Sequence, residues 1–116
     1  MTRELAERRG RRGEGWAGVW LRLQGWRIVA RRVKTPRGEI DLIARRGRTV
    51  AFTEVKWRAT DEELALAIDE YRLRRVAAAV EAVAHRYARA GDTIRIDVLL
   101  LAPGRWPRHI VNAWQP

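Results

Sequence analysis

The chain has 116 residues, no cysteine and a formal net charge of +10. That length suits a single domain with a real core, and the missing thiols exclude disulfides, zinc–thiolate centres and cysteine nucleophiles. The most apolar run, Val98-Leu99-Leu100-Leu101-Ala102, is far too short for a bilayer, so a cytoplasmic protein that meets no membrane is expected. The excess positive charge points to a polyanion, nucleic acid first.

Residues 1–12 carry Arg8-Arg9 and Arg11-Arg12 around Gly10 and read as a flexible basic arm, leaving residues 13–116 as one domain. Between Glu14 and Gln24, Trp16, Val19, Trp20 and Leu23 recur at three- and four-residue spacing, which predicts a helix with these residues facing the core. Gly25 is placed to end it. A strand follows over Trp26–Val33, then turn chemistry in Thr35-Pro36-Arg37-Gly38, a second strand over Glu39–Ala44, the turn Arg46-Gly47-Arg48, and a third strand over Thr49–Trp57. Three strands with short connections predict an antiparallel meander.

Thr60-Asp61-Glu62-Glu63 has the form of a capping box. A longer helix is predicted over Glu70–Arg89, with Leu73, Val76, Ala77, Val80, Val83, Ala84 and Tyr87 on its apolar face. Thr93–Ala102 is a strand, Pro103-Gly104 a turn, and His109–Ala113 a short strand at a sheet edge. The order α-β-β-β-α-β-β gives an α/β fold, with helices flanking a central mixed sheet.

Only Lys34 and Lys56 are lysine in a chain that uses arginine at every other basic position. A lysine that persists in that background marks a place where a compact ammonium is needed rather than a planar guanidinium. Lys56 closes Phe52-Thr53-Glu54-Val55-Lys56, and strand alternation puts Phe52, Glu54 and Lys56 on one face, with Trp57 on the other. Glu39, Asp41 and Ile43 share a face of the preceding strand by the same rule, so pairing of the two strands sets Asp41 beside Glu54. Two neighbouring carboxylates repel unless a cation lies between them. An all-oxygen site of this kind suits Mg²⁺ or Mn²⁺, which polarises a phosphodiester and generates hydroxide from bound water. Lys56 then orients that water or stabilises charge on phosphorus. The competing assignment for Glu54 and Lys56 is a plain ion pair on an exposed strand.

Gly38-Glu39-Ile40-Asp41-Leu42-Ile43-Ala44 followed by Phe52-Thr53-Glu54-Val55-Lys56-Trp57-Arg58 resembles the YraN-type family of bacterial proteins, within the restriction-endonuclease-like PD-(D/E)XK nuclease superfamily that includes archaeal Holliday-junction resolvases. Gly13-Glu14-Gly15-Trp16-Ala17, Gly25-Trp26, Arg95-Ile96-Asp97-Val98 and Asn112-Ala113-Trp114 extend the resemblance through most of the chain. It implies a restriction-endonuclease-like sheet, Asp41 and Glu54 as metal ligands with the Val55 carbonyl as a third, Lys56 as the catalytic lysine, and Glu14 as an additional acid directed into the site. It also implies paired active sites, hence a homodimer, although no dimer face can be read from the residues. Arg72 stands near a position where the family usually has lysine, and Arg32 where it often has asparagine.

Arg31, Arg32, Arg45, Arg46, Arg48, Arg58, Arg72, Arg74 and Arg75 are candidate phosphate contacts. Trp16, Trp20, Trp26 and Trp57 fall at core-like positions, whereas Trp106, between Arg105 and Pro107, is the candidate for an exposed contact. His85 and His109 are too few and too isolated for a zinc centre. The expected activity is Mg²⁺- or Mn²⁺-dependent hydrolysis of branched or structured DNA. The alternatives are a nucleic-acid-binding module on a nuclease scaffold and an adaptor whose basic face meets an acidic protein.

Overall fold

A computed structural model describes residues 15–57 and 70–114, with the side chains of residues 70–72 outside that description. The basic arm, Glu14, Arg58, the Thr60–Glu63 capping sequence and the Arg72 side chain therefore lie outside the described residues. Helix α1 (residues 15–23) precedes β1 (Arg27–Thr35), β2 (Gly38–Arg46) and β3 (Thr49–Trp57). Helix α2 (Glu70–Tyr87), β4 (Thr93–Leu101) and β5 (Arg108–Ile110) complete the order. The five strands form one sheet in the order β1-β2-β3-β4-β5. The meander β1-β2-β3 is antiparallel, β3 and β4 run parallel with α2 as the connection, and β5 returns antiparallel at the edge. The molecule is thus an α/β domain with a mixed sheet, as its element order predicts.

Each face of the sheet buries its own apolar cluster. Beneath α2, Leu73, Val76, Ala79, Val80 and Val83 meet Ile43, Val50, Phe52, Ile96, Val98 and Leu100. On the opposite face, Ala17 and Leu21 of α1 meet Trp26, Leu42, Ala44, Ala51, Leu99 and Leu101. Both faces of β4 are covered, which explains its nearly continuous apolar run.

Helix α1 corrects the expectation drawn from its periodicity. The face it buries is Ala17, Gly18 and Leu21, while Trp16, Val19 and Leu23 point outward, Leu23 being 70% exposed. The sheet-facing side carries Ala17 and Gly18 beside Leu21, and the Arg31 guanidinium lies over Gly18, 2.6 Å from where a Cβ would sit. Of the large residues at the same period, Trp16, Val19 and Leu23 are left outside, while Trp20 is half-buried against the α1-side cluster, as expected.

Strand alternation also fails at two places on β1: a bulge between Ile28 and Ala30 sends these residues to opposite clusters, and a second break follows at Arg32. Ala30 and Val33 on β1 both reach the cluster beneath α2, as do Ile40 and Ile43 on β2, although each pair is three residues apart. Between them the ladder runs from Arg31–Leu42 to Val33–Ile40, and Arg32 has a left-handed backbone (φ 51°). On β2, Ile40 and Ile43 reach the same cluster, so Glu39 and Ile43 do not share a face as simple alternation predicts. The break falls where Arg32 faces Asp41.

Candidate active site

The paired residues of β2 and β3 end at Leu42–Thr53, so Asp41 is the first residue past the ladder. Its carboxylate takes over from the missing backbone partner: the Val55 amide donates to Asp41 Oδ2 at 2.8 Å. This bond places Asp41 against the β3 backbone between Glu54 and Lys56. Glu54 Oε1 and Lys56 Nζ are 2.6 Å apart, with side chains 14% and 9% exposed. They extend the row begun by Val50 and Phe52 on the α2 side of β3, the apolar part of which is core. Trp57 turns the other way and packs on the α1-side cluster, as expected.

Three of the sequence-predicted site residues are therefore neighbours at this end of β3: Glu54 and Lys56 are in contact, and Asp41 meets the Val55 amide between them. Among the described residues no three His, Asp or Glu side chains gather to hold a metal. The groups that could hold a cation here are two carboxylates and a backbone carbonyl, a donor set that would need water to complete it, in the ligand style of Mg²⁺.

The arginines divide by what they already hold. Arg45 donates to Asp92 at 2.7 Å, to the Tyr87 carbonyl at 3.0 Å and to the Gly47 carbonyl at 3.3 Å, tying the end of α2 to the β2–β3 turn. The Arg45 hydrogen bond, followed by the Arg89 amide, holds the Asp92 carboxyl below the usual range. Arg46 stacks its guanidinium 4.4 Å from the Trp26 ring and donates to the Gln24 carbonyl. Arg31, Arg32, Arg48, Arg74 and Arg75 are exposed.

A second polar cluster was not read as a unit from the sequence. Asp97 is wholly buried on β4 and accepts from Arg95 at 2.8 Å, His109 at 2.8 Å and the Asn112 amide at 2.9 Å. Burial opposes its charge, but the hydrogen bonds from His109, Arg95 and the Asn112 amide outweigh burial and carry its pKa below the ordinary value. Trp26 lies under this cluster, 5.3 Å from the Arg95 guanidinium and 6.4 Å from the His109 ring. The isolation of His109 in sequence hid this, since its partner arrives only when β5 pairs with β4. The signal that was available is an acid inside an otherwise apolar strand.

An α/β domain with a five-stranded mixed sheet, carrying an acid–acid–lysine group where its central hairpin unzips, is the class this chain represents. The profile of the uncharacterised protein family UPF0102 matches residues 13–101, and the chain belongs to that family. It is 68% identical to a UPF0102 protein of Erythrobacter litoralis and 66% identical to one of Sphingopyxis alaskensis, both over the full length of each chain. It is 62% identical to a third, of Rhizorhabdus wittichii, over 97% of this chain and 95% of that one. Among the described residues no helix is long and apolar enough to cross a membrane.

Proposed function

We propose that this domain is a Mg²⁺- or Mn²⁺-dependent endonuclease that hydrolyses phosphodiester bonds in branched or structured DNA. The observation that carries the reading is the hydrogen bond from the Val55 amide to Asp41, which ties an acid on β2 to the backbone between Glu54 and Lys56. The donor set is hard oxygen throughout, so Asp41, Glu54 and the Val55 carbonyl are the groups that would hold the cation. Such a cation, when bound, polarises the phosphate and lowers the pKa of its water. Lys56 orients the attacking water or neutralises charge developing on the phosphoryl oxygens, and its contact with Glu54 keeps the ammonium in place. The water oxygen bonds to phosphorus, the bond to the leaving sugar oxygen breaks, and that oxygen takes up a proton.

Two further features support the reading. An ion pair with this little exposure rarely stabilises a fold more than apolar residues of the same shape, so its presence calls for a chemical reason. The net charge of +10 and the exposed Arg31, Arg32 and Arg75 suit a phosphate-rich partner. One observation favours a non-hydrolytic binding module instead: Glu54 and Lys56 already satisfy each other at 2.6 Å.

Cleavage of a panel of duplex, flapped, branched and single-stranded DNA, with Mg²⁺ or Mn²⁺, separates the two. The endonuclease requires cutting of at least one form and a loss of at least about 100-fold in Asp41→Ala and Lys56→Ala. Cutting that survives both substitutions removes these residues from the mechanism. Salt-sensitive binding with no cutting of any form leaves the binding module.

A further inference from the structure

The aromatic residues of α1 do not stand alone. Trp16 and Trp20 have ring centroids 6.5 Å apart, and Trp20 lies 5.6 Å from Trp106. Trp16, Trp57 and Trp106, with the turn at residues 102–104, line an open cleft of about 570 Å³, a volume in the range of small-ligand sites. Among the described residues that line it, Arg105 is the charged one. Trp106 is 77% exposed, yet it is held on both sides. The Ala102–Arg105 turn closes on Gly104 (φ 70°), with the Arg105 amide donating to the Ala102 carbonyl, and Pro107 beyond it is buried. An indole presented so openly on a fixed turn is a preorganised flat surface.

The cleft opens at the same end of β3 as the acid–acid–lysine group. Lys56 and Trp57 are consecutive, about 3.3 Å apart along the strand, and turn to opposite faces. Trp57 pairs with Leu101, which leads directly into the cleft's turn. The aromatic shelf, edged with the positive charge of Arg105, and Lys56 thus lie at the same end of β3 on opposite faces of the sheet.

We infer that this cleft binds an unpaired nucleobase of single-stranded DNA, stacked on Trp106 and bordered by Trp16 and Trp57, while Arg105 meets the adjoining phosphate. The inference rests on the endonuclease reading for its substrate class and narrows it: the DNA acted upon has an unpaired nucleotide beside the scissile link. Stacking is the chemistry that recognises any base through its ring face, and it is closed to bases already stacked in a duplex. Arginine against an aromatic ring adds to it.

The test is fluorescence anisotropy with a labelled oligothymidylate and, separately, a blunt duplex, both in EDTA so that binding is read without cleavage. Trp106→Leu is expected to bind the oligothymidylate about tenfold more weakly, the loss of one stacked base, with duplex binding unchanged. Trp106→Phe, which keeps a ring, is expected to bind like the parent protein. The inference is overturned if Trp106→Leu binds the oligothymidylate normally, if it loses both ligands equally, or if the parent protein prefers the duplex. A change in sedimentation of Trp106→Leu with unchanged DNA binding also overturns it and assigns the face to a second copy of the chain. Absence of metal-dependent cutting by the parent protein, with these binding results intact, defeats the endonuclease reading alone.

Discussion

Lys56 Nζ stands 2.6 Å from Glu54 Oε1, both side chains nearly out of reach of solvent. Removing one partner leaves the other charge buried without compensation, whereas removing both leaves no charge there. Lys56→Met is therefore expected to lose about 2–3 kcal/mol of stability, and the double variant Glu54→Gln with Lys56→Met to recover most of it. Urea denaturation of the two singles and the double gives the coupling. Equal losses that simply add would show that the two groups do not interact in solution.

The buried Asp97 sets the acid limit of stability. Its folded pKa lies below the unfolded value of about 3.9, because the donors from His109, Arg95 and Asn112 outweigh the opposing burial. The network's contribution is complete above the unfolded value and is lost as pH falls through the folded one. Asp92, held down by Arg45, shifts in the same direction. Thermal unfolding followed from pH 7 downward is expected to show a steep fall below about pH 4. Asp97→Asn should lower stability at neutral pH by about 3 kcal/mol and shallow that fall, leaving the part due to Asp92. A slope unchanged by Asp97→Asn assigns the acid sensitivity elsewhere.

Arg32 has a left-handed backbone inside a strand. Asparagine tolerates that conformation better than other side-chain-bearing residues, and β-branched residues tolerate it least. Arg32→Asn is expected to be more stable than Arg32→Ile by at least about 1 kcal/mol. Both variants lack the guanidinium, so the comparison isolates the backbone. An isoleucine variant as stable as the asparagine one means that the strand regularises when Arg32 is replaced.

Gly18 offers a way to move Arg31 without changing it. A Cβ there displaces only the far end of a flexible side chain, and alanine favours the helix by about 0.5–1 kcal/mol. Gly18→Ala should thus melt at or slightly above the parent temperature. If Arg31 contacts phosphate, duplex binding weakens severalfold in the same variant, with a shallower salt dependence.

Much of the fold was legible because it rests on local patterns. The turns at Pro36-Arg37 and Gly47-Arg48 bracket β2 as expected, β3 has the bounds its alternation predicts, and the apolar period of α2 matches its buried face except for the added Ala79. The face of α1 differs from its periodicity because hydrophobicity ranks Trp16 and Val19 above Ala17 and Gly18, yet Ala17 and Gly18 take the buried side with Leu21. The switch of faces at Arg32 leaves no mark in composition, since arginine carries none of glycine's conformational signature. Asp41, Glu54 and Lys56 were found together because strand pairing follows from the short turn between them. The Asp97 network was missed because its members come from two strands and the segment beyond them, brought together only by tertiary pairing.

The opposite orientation of Lys56 and Trp57 makes β3 intolerant of a register error. A slip of one residue against its neighbours would swing the indole beneath α2 and thrust the ammonium among the apolar residues under α1. Such a misaligned chain would bury the Glu54–Lys56 ion pair among apolar residues and forfeit both layers at once. Mis-threading of the central strand is thereby steeply penalised by the same two side chains on which the two proposed DNA contacts depend.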